Sequence, residues 1–234
     1  MSRYRISFSK GGPARFMSHL DMVRTFERAV RRAGLPVSMS QGFNPHSKLA
    51  FGFPLPVGVS GLEEYADIEL EEDISPEIIV KSLGPAMPQG IKVTGACRLE
   101  DKTAALMAEV ERSSYLVRAG RDESLDPEAL RKCLEDLTGL EELPVTRRKK
   151  DGREALFDIR PGILSLQAGE DGEGIFVSME LASGSSLNVR PGEVISAVRE
   201  RCGLFGEGCH LEISRTGMRG PGGKELFDCD RDGR

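Results

Sequence analysis

The sequence predicts an α+β protein made of two tandem ferredoxin-like domains, on three observations. Short segments that alternate apolar and polar residues are typical of strands with one buried face. Segments with apolar residues at helical spacing begin at good N-cap residues and indicate helices. These segments follow one another twice in the order β-α-β-β-α-β, the order of a ferredoxin-like sheet. The predicted domains are residues 1–98 and 113–214, joined by a polar bridge and followed by a flexible tail at 215–234.

The first cycle opens with a strand in which Tyr4, Ile6 and Phe8 alternate with polar residues. Ser75 followed by Pro76 indicates the start of the second helix of this cycle, because proline is favoured at the first helical position. The remaining strands of the cycle are expected at 35–39 with 48–53, at 65–70 and at 91–96.

The helix between the first two strands carries the most informative pattern of this domain. Ser18 is a suitable N-cap with Asp21 three residues later, and Gly34 ends the helix. Its apolar positions fall at helical spacing: Leu20, Val23, Phe26, Val30 and Ala33. The first four of them are expected to be buried against the first sheet. Since residues three and four apart share one face of a helix, the opposite face is predicted to expose Arg24, Arg28 and Arg31.

The second cycle shows the same signals. Its two helices are expected to begin at Pro127 and Pro191, each at the first helical position. Its strands, which include one extra hairpin, are expected at 115–118, 143–147, 156–159, 163–166, 175–181 and 210–213. The residues from Arg215 onward are rich in Gly, Arg and Asp, a composition that predicts flexibility.

The charge of the chain is unevenly distributed. Residues 1–60 hold nine Lys and Arg against two Asp and Glu, a balance of +7, although the whole chain carries −5. This asymmetry indicates an anion-binding face, and nucleic acid is the commonest large cytoplasmic anion. A solvated charged helix is the alternative interpretation. A second basic run, 147–153, falls at a predicted hairpin tip and either extends the anion-binding surface or is simply solvated.

The segment 38–48 is the densest in chemically capable side chains. An amide, an aromatic ring, an imidazole and an ammonium group occur there within eight residues: Gln41, Phe43, Asn44, His46 and Lys48, with Gly42 permitting close backbone approach. Such a set suits a splayed nucleotide, in which the base stacks on an aromatic ring and the backbone is held by cations. An Asn-Pro turn with a structurally satisfied histidine is the alternative.

The sequence indicates no cofactor and no metal site. It has no GxxxxGK[ST], no dinucleotide-binding GxGxxG and no HExxH motif. Its five cysteines are odd in number and scattered, so reduced thiols are expected, and the metal-capable cluster fits no common zinc pattern: Cys202, Cys209, His210 and Cys229. Because no apolar run is long enough to cross a membrane and the N-terminus lacks a signal-peptide core, a cytoplasmic location without membrane contact is expected.

Several motifs resemble those of the radical-SAM-associated (radical-SAM-linked) protein family. The matching stretches span both predicted domains: 15–21, 26–37, 41–46, 56–59, 64–68 and 157–161. Members of that family are fused to, or encoded beside, a cobalamin-binding radical S-adenosylmethionine protein. The resemblance therefore implies a separately encoded radical SAM partner here. Ser47 departs from the family pattern, which has proline at that position.

These observations predict an RNA-binding or substrate-presenting accessory protein that works with a cobalamin-type radical SAM enzyme in RNA modification and has no catalysis of its own. The predicted RNA-binding residues are Arg15, His19, Arg24, Arg28, Arg31, Gln41, Gly42, Phe43, Asn44, His46 and Lys48. One alternative is a metal-independent endoribonuclease resembling CRISPR repeat-processing enzymes, with the catalytic candidates His19 and His46. The other is a protein-only adaptor for the radical SAM enzyme.

Overall fold

The structure is a computed structural model that describes residues 1–120, 125–149, 151–184, 186–206 and 208–227. The chain forms two compact units. One is Arg112–Ser214, and the other joins Met1–Glu111 to the described residues from Arg215 onward. The α+β class is confirmed. In the described part of the chain, no helix is both long and apolar enough to cross a membrane.

The first unit contains an antiparallel sheet with its strands in the order β4 (Ile91–Arg98), β1 (Ser2–Lys10), β3 (Ser60–Leu70) and β2 (Leu49–Phe51). The second half of one further strand, β10 (Leu211–Arg219), also belongs to this unit. The other elements of the unit are α1 (His19–Arg32), α2 (Pro76–Leu83) and α3 (Leu106–Glu109).

The second unit has strands in the order β10, β5 (Arg112–Ala119), β9 (Gly174–Ala182) and β8 (Ile163–Asp171). Strands β6 (Pro144–Arg148) and β7 (Glu154–Asp158) form a separate two-stranded hairpin. The other elements of the unit are α4 (Pro127–Gly139) and α5 (Pro191–Cys202), and of β10 the first half belongs to it. The finer assignment of both units to the ferredoxin-like fold stays a prediction.

The predicted strand at 35–39 is the largest difference in the first unit. Only Val37 and Met39 make isolated bridges there, and β2 is reduced to three residues. The chain between Met39 and Ser47 instead leaves the sheet edge as a loop. The polar bridge between the predicted domains contains the single helical turn of α3, whose Leu106 is fully buried.

Residues 215–227, for which composition predicts flexibility, form part of the first unit. Strand β10 continues to Arg219, and Leu226 is buried against the first unit. Arg215 is 1 % exposed and pairs with Glu64, a contact across 151 positions of sequence that composition could not reveal. Residues 228–234, and with them Cys229, lie outside the described residues.

The expectation of reduced thiols is wrong for one pair. Cys133 on α4 and Cys202 on α5 form a disulfide with a Cα–Cα distance of 6.1 Å. Both helices contribute side chains to the hydrophobic core of the second unit, which brings the two cysteines, 69 positions apart in the sequence, into contact. Cys97 is buried and Cys209 is half-buried.

Helix α1 begins as predicted. Asp21 N donates to Ser18 Oγ and Ser18 N donates to Asp21 Oδ2, which completes a capping box. Phe26 and Val30 are buried as expected, but Leu20 is 65 % exposed. The buried stripe is centred on Met22, Phe26, Ala29 and Val30, so Leu20, one turn before Arg24, belongs to the exposed face.

The two faces of the first sheet are both covered. Tyr4 and Ile6 point to the side on which α1 and α2 pack. On the alternate side, Tyr65 packs with Leu106, Val110 and Leu226. The ring of Phe227 stacks on Tyr65 at a centroid distance of 6.0 Å. Open surface for a large ligand is therefore left on helices and loops rather than on the sheet.

Candidate nucleic-acid interface

The arginine face of α1 is the first component of the candidate interface. Arg24, Arg28 and Arg31 are all exposed, as the helical spacing predicted. Burial of the apolar stripe on the opposite side of α1 fixes this orientation. Arg28 donates to Thr25 Oγ1 on its own helix (3.3 Å) and keeps its charge at the surface. A row of cations at helical spacing can neutralise successive phosphates.

The loop from Met39 to Ser47, here called the edge loop, is the second component. Its base is closed by main-chain bonds: Ser40 N donates to His46 O (2.8 Å) and Lys48 N donates to Ser38 O (2.9 Å). His46 N donates to Ser40 Oγ (3.0 Å), and that oxygen shares a hydrogen bond with His46 Nδ1 (2.8 Å). Four bonds across the base hold the loop in one shape.

The tip of the edge loop exposes every side chain that the sequence marked. Gln41, Asn44 and His46 are exposed, and Gly42 has a φ of +135°, a conformation that favours glycine. Phe43 has a relative exposure of 106 %. A fully exposed aromatic ring on a closed loop offers a face on which an unstacked base can lie.

The charge balance of residues 1–60 overstates the charge at the surface. Arg5 is buried and donates to Asp67 (2.7 Å) and to Glu109 (2.7 Å). Burial lowers the pKa of Arg5, but these carboxylates raise it more, so the guanidinium stays charged and engaged. Lys10 is also buried, which lowers its pKa, and its Nζ donates to Met17 O (3.0 Å).

Lys48, a predicted RNA contact, forms an ion pair within the first unit. Its Nζ lies 2.7 Å from Glu69 Oε1 on β3, with both side chains partly exposed. Arg15 holds its guanidinium over the Phe16 ring at 4.9 Å. The accessible cations of the candidate interface are therefore mainly those of α1.

The two histidines are not brought together as an acid–base pair. His19 is exposed at the start of α1, and its ring meets Phe51 edge-on at 5.8 Å. His46 is held by Ser40, which is the structurally satisfied histidine of the alternative interpretation. Among the described residues, neither ring makes a hydrogen bond to the other.

A cleft of about 1010 Å³ in the first unit is a poor site for a polyanion. Its lining mixes four basic with five acidic side chains: Arg5, Arg98, Lys102 and Lys224, and Asp73, Glu77, Glu100, Glu109 and Glu225. The mixture attracts no single sign of charge, which favours α1 and the edge loop as the binding surface.

Two residues of the interface were missed by the sequence analysis. Ser40 lies within the segment 38–48, and its hydroxyl orients His46 and closes the loop. The helical spacing predicts Leu20 in the core, but Leu20 extends the arginine face with an exposed apolar group. The spacing between Leu20 and Arg24 is the signal that could have placed Leu20 on the exposed face.

A family profile described as "uncharacterized protein conserved in bacteria (DUF2344)" matches residues 3–191. The chain belongs to this family. The match covers the first unit up to Glu111, which carries α1 and the edge loop, and most of the second unit. No curated protein matches the DUF2344 chain.

Among solved structures, the DUF2344 chain is similar to a chain described as "Crystal Structure of a Cbf5-Nop10-Gar1 Complex". The TM-score is 0.50 at 13 % identity, over 92 % of this chain and 48 % of the other, so the DUF2344 chain spans about half of that chain. A putative glycine cleavage system transcriptional repressor aligns with a TM-score of 0.23 at 11 % identity, over 92 % of this chain and 98 % of the other. The first similarity concerns the fold alone.

Proposed function

We propose that this protein binds RNA through α1 and the edge loop and presents it to a separately encoded cobalamin-type radical SAM enzyme in the cytoplasm. The observation that carries the RNA-binding part is Phe43, fully exposed at the tip of a loop whose base is closed by hydrogen bonds. An exposed aromatic ring at a loop tip can stack on an unpaired base of single-stranded RNA. The enzyme partner is proposed from the sequence motifs alone.

The two components supply the two kinds of contact that RNA recognition needs. Arg24, Arg28 and Arg31 offer charge to phosphates without regard to sequence. Phe43 offers a stacking face, and Gln41 and Asn44 offer amide donors and acceptors for base edges. Because the loop is closed before binding, little ordering entropy opposes the contact.

Replacing Phe43 by alanine is expected to weaken RNA binding by about 1–3 kcal/mol, about 5- to 150-fold in Kd, because base stacking is lost. Fluorescence anisotropy with a labelled stem–loop RNA measures the change. Phe16→Ala is the matched control, since Phe16 is also an exposed phenylalanine of the first unit but lies outside the edge loop. Equal loss in both variants would mean that the edge loop is not the base-binding element.

Replacing Arg28 and Arg31 together by glutamine is expected to make binding less dependent on salt. The slope of log K against log salt is negative, and each lost phosphate contact makes it less steep by about 0.7–0.9. The control removes two exposed charges from elsewhere in the same unit, Lys92→Gln with Lys102→Gln. If the arginine pair and the lysine pair change the slope equally, the arginine face does not bind phosphates in preference to other exposed cations.

The same material tests the endoribonuclease alternative. Purified protein incubated with total cellular RNA without metal is expected to leave it intact. Cleavage that disappears in His19→Gln or His46→Gln, at unchanged affinity, would replace the presenting role by catalysis. Binding to no RNA at all would favour the protein-only adaptor.

A further inference from the structure

The β6–β7 hairpin of the second unit is a surface that the proposed interface does not use. In the described chain its two strands pair only with each other. Strand β7 is exposed at four of its five residues, and the outward side of the hairpin carries Thr146 opposite Leu156 and Arg148 opposite Glu154. The hairpin is therefore an arm rather than part of a packed sheet.

The base of this arm is held firmly to its unit. Arg147 donates from Nε to Glu193 Oε1 (2.8 Å) and from Nη2 to Glu193 Oε2 (2.7 Å), at the first turn of α5. The same guanidinium donates to Asn188 O and lies over the Phe157 ring at 5.0 Å. A two-pronged ion pair of this kind fixes direction as well as position.

The tip of the arm carries cations that its own acids do not neutralise. Arg153 pairs with Asp151 (2.6 Å). Arg148 Nε donates to the main-chain oxygen of Gly152 (3.3 Å), and Lys149 N donates to Arg153 O, which closes the turn. Among the described residues, neither Arg148 nor Lys149 has a carboxylate partner. Lys150 lies outside the described residues.

We propose that the tip of the β6–β7 hairpin is a second phosphate-contacting element for RNA, formed by Arg148 and Lys149. This rests on the proposed function, because it assigns a further contact to the same kind of ligand. The anchored base and the unpaired charges at the tip are what a phosphate contact needs: a fixed element that brings cations to a polyanion without first breaking ion pairs.

The decisive experiment measures binding of a labelled stem–loop RNA to the full chain over a range of potassium chloride concentrations. Arg148→Gln with Lys149→Gln is expected to make the negative slope of log K against log salt less steep by about 1–2. The control is Arg131→Gln with Lys132→Gln, which removes the same charge from an exposed surface of the same unit. That control is expected to leave the slope unchanged.

A second variant moves the effect in the opposite direction and guards against a misfolded hairpin. Asp151→Asn with Glu154→Gln removes both acidic side chains near the tip and frees Arg153. If the tip contacts phosphate, this variant binds RNA more tightly and with a steeper salt dependence than the wild-type chain. Unchanged binding would overturn the proposal even if the first variant were unstable.

The outcomes separate the two proposals. Wild-type binding that depends on Phe43 but is indifferent to the hairpin variants would overturn only the hairpin assignment. Absence of RNA binding by the wild-type chain would overturn the proposed function and the hairpin contact together. Binding of an acidic protein probe such as polyglutamate, as tight as that of RNA and lost with Arg148 and Lys149, would assign the tip to a protein partner instead.

Discussion

Replacing Phe26 by alanine is expected to lower the free energy of unfolding by about 3–5 kcal/mol. Phe26 is 1 % exposed, and its ring lies 4.9 Å from that of Phe8 and 5.0 Å from that of Phe51. Truncation removes the buried ring and leaves a cavity between α1 and the sheet. The surrounding side chains are closely packed, so they can fill this cavity only in part. Since α1 also carries the arginine face, loss of this contact would loosen the element on which the proposed RNA binding depends.

Urea denaturation followed by circular dichroism measures this loss. Phe43→Ala is the matched control, because it removes the same side chain from a fully exposed site and is expected to change stability by less than about 0.5 kcal/mol. A Phe26→Ala protein as stable as the Phe43→Ala protein would show that α1 does not pack on the sheet as described.

Glu64→Gln is expected to lower the free energy of unfolding by about 3–5 kcal/mol, because it leaves the buried guanidinium of Arg215 without the carboxylate that balances its charge. Arg215 Nε donates to Glu64 Oε1 at 2.8 Å, Nη2 donates to Glu64 Oε2, and Nη2 also donates to Phe53 O at 2.7 Å. Both side chains of the ion pair are less than a tenth exposed, so water cannot replace the lost carboxylate.

The neighbouring acid supplies the control for this experiment. Glu63 pairs with Arg219 at 3.4 Å with both side chains about 30 % exposed, and Glu63→Gln is expected to cost less than about 1 kcal/mol. Replacing Glu64 and Arg215 together by methionine should recover part of the Glu64→Gln loss, since the Arg215 guanidinium is then no longer buried without its carboxylate. Equal stability of the Glu63 and Glu64 variants would contradict the burial of this ion pair.

Local signals were sufficient for the elements that position the interface. Ser18 and Asp21 set the start of α1, and the prolines at 76, 127 and 191 mark the first residues of the next long helices. Each of these signals acts within one or two turns of a helix, so a sequence window contains all of it. The exposure of Arg24, Arg28 and Arg31 followed from the same local geometry.

Long-range pairing was beyond the sequence. Arg5 counts toward a basic block, but Asp67 and Glu109 engage it from distant positions in the chain. Arg215 lies in a segment whose composition suggests flexibility, and its partner Glu64 lies in β3. The Cys133–Cys202 disulfide depends in the same way on how two helices pack. Composition describes the tendency of one segment by itself, whereas each of these contacts depends on a residue that is distant in the sequence.

The direct test of the central claim is the binding of the wild-type chain to a labelled stem–loop RNA at increasing salt. Three accessible arginines on α1 predict a linear fall of log K with log salt, with a slope of about −2 or steeper. Tight binding at low salt that weakens along this line, with the RNA intact throughout, is the expected result. Absence of binding at low salt, or affinity that does not change with salt, would contradict it.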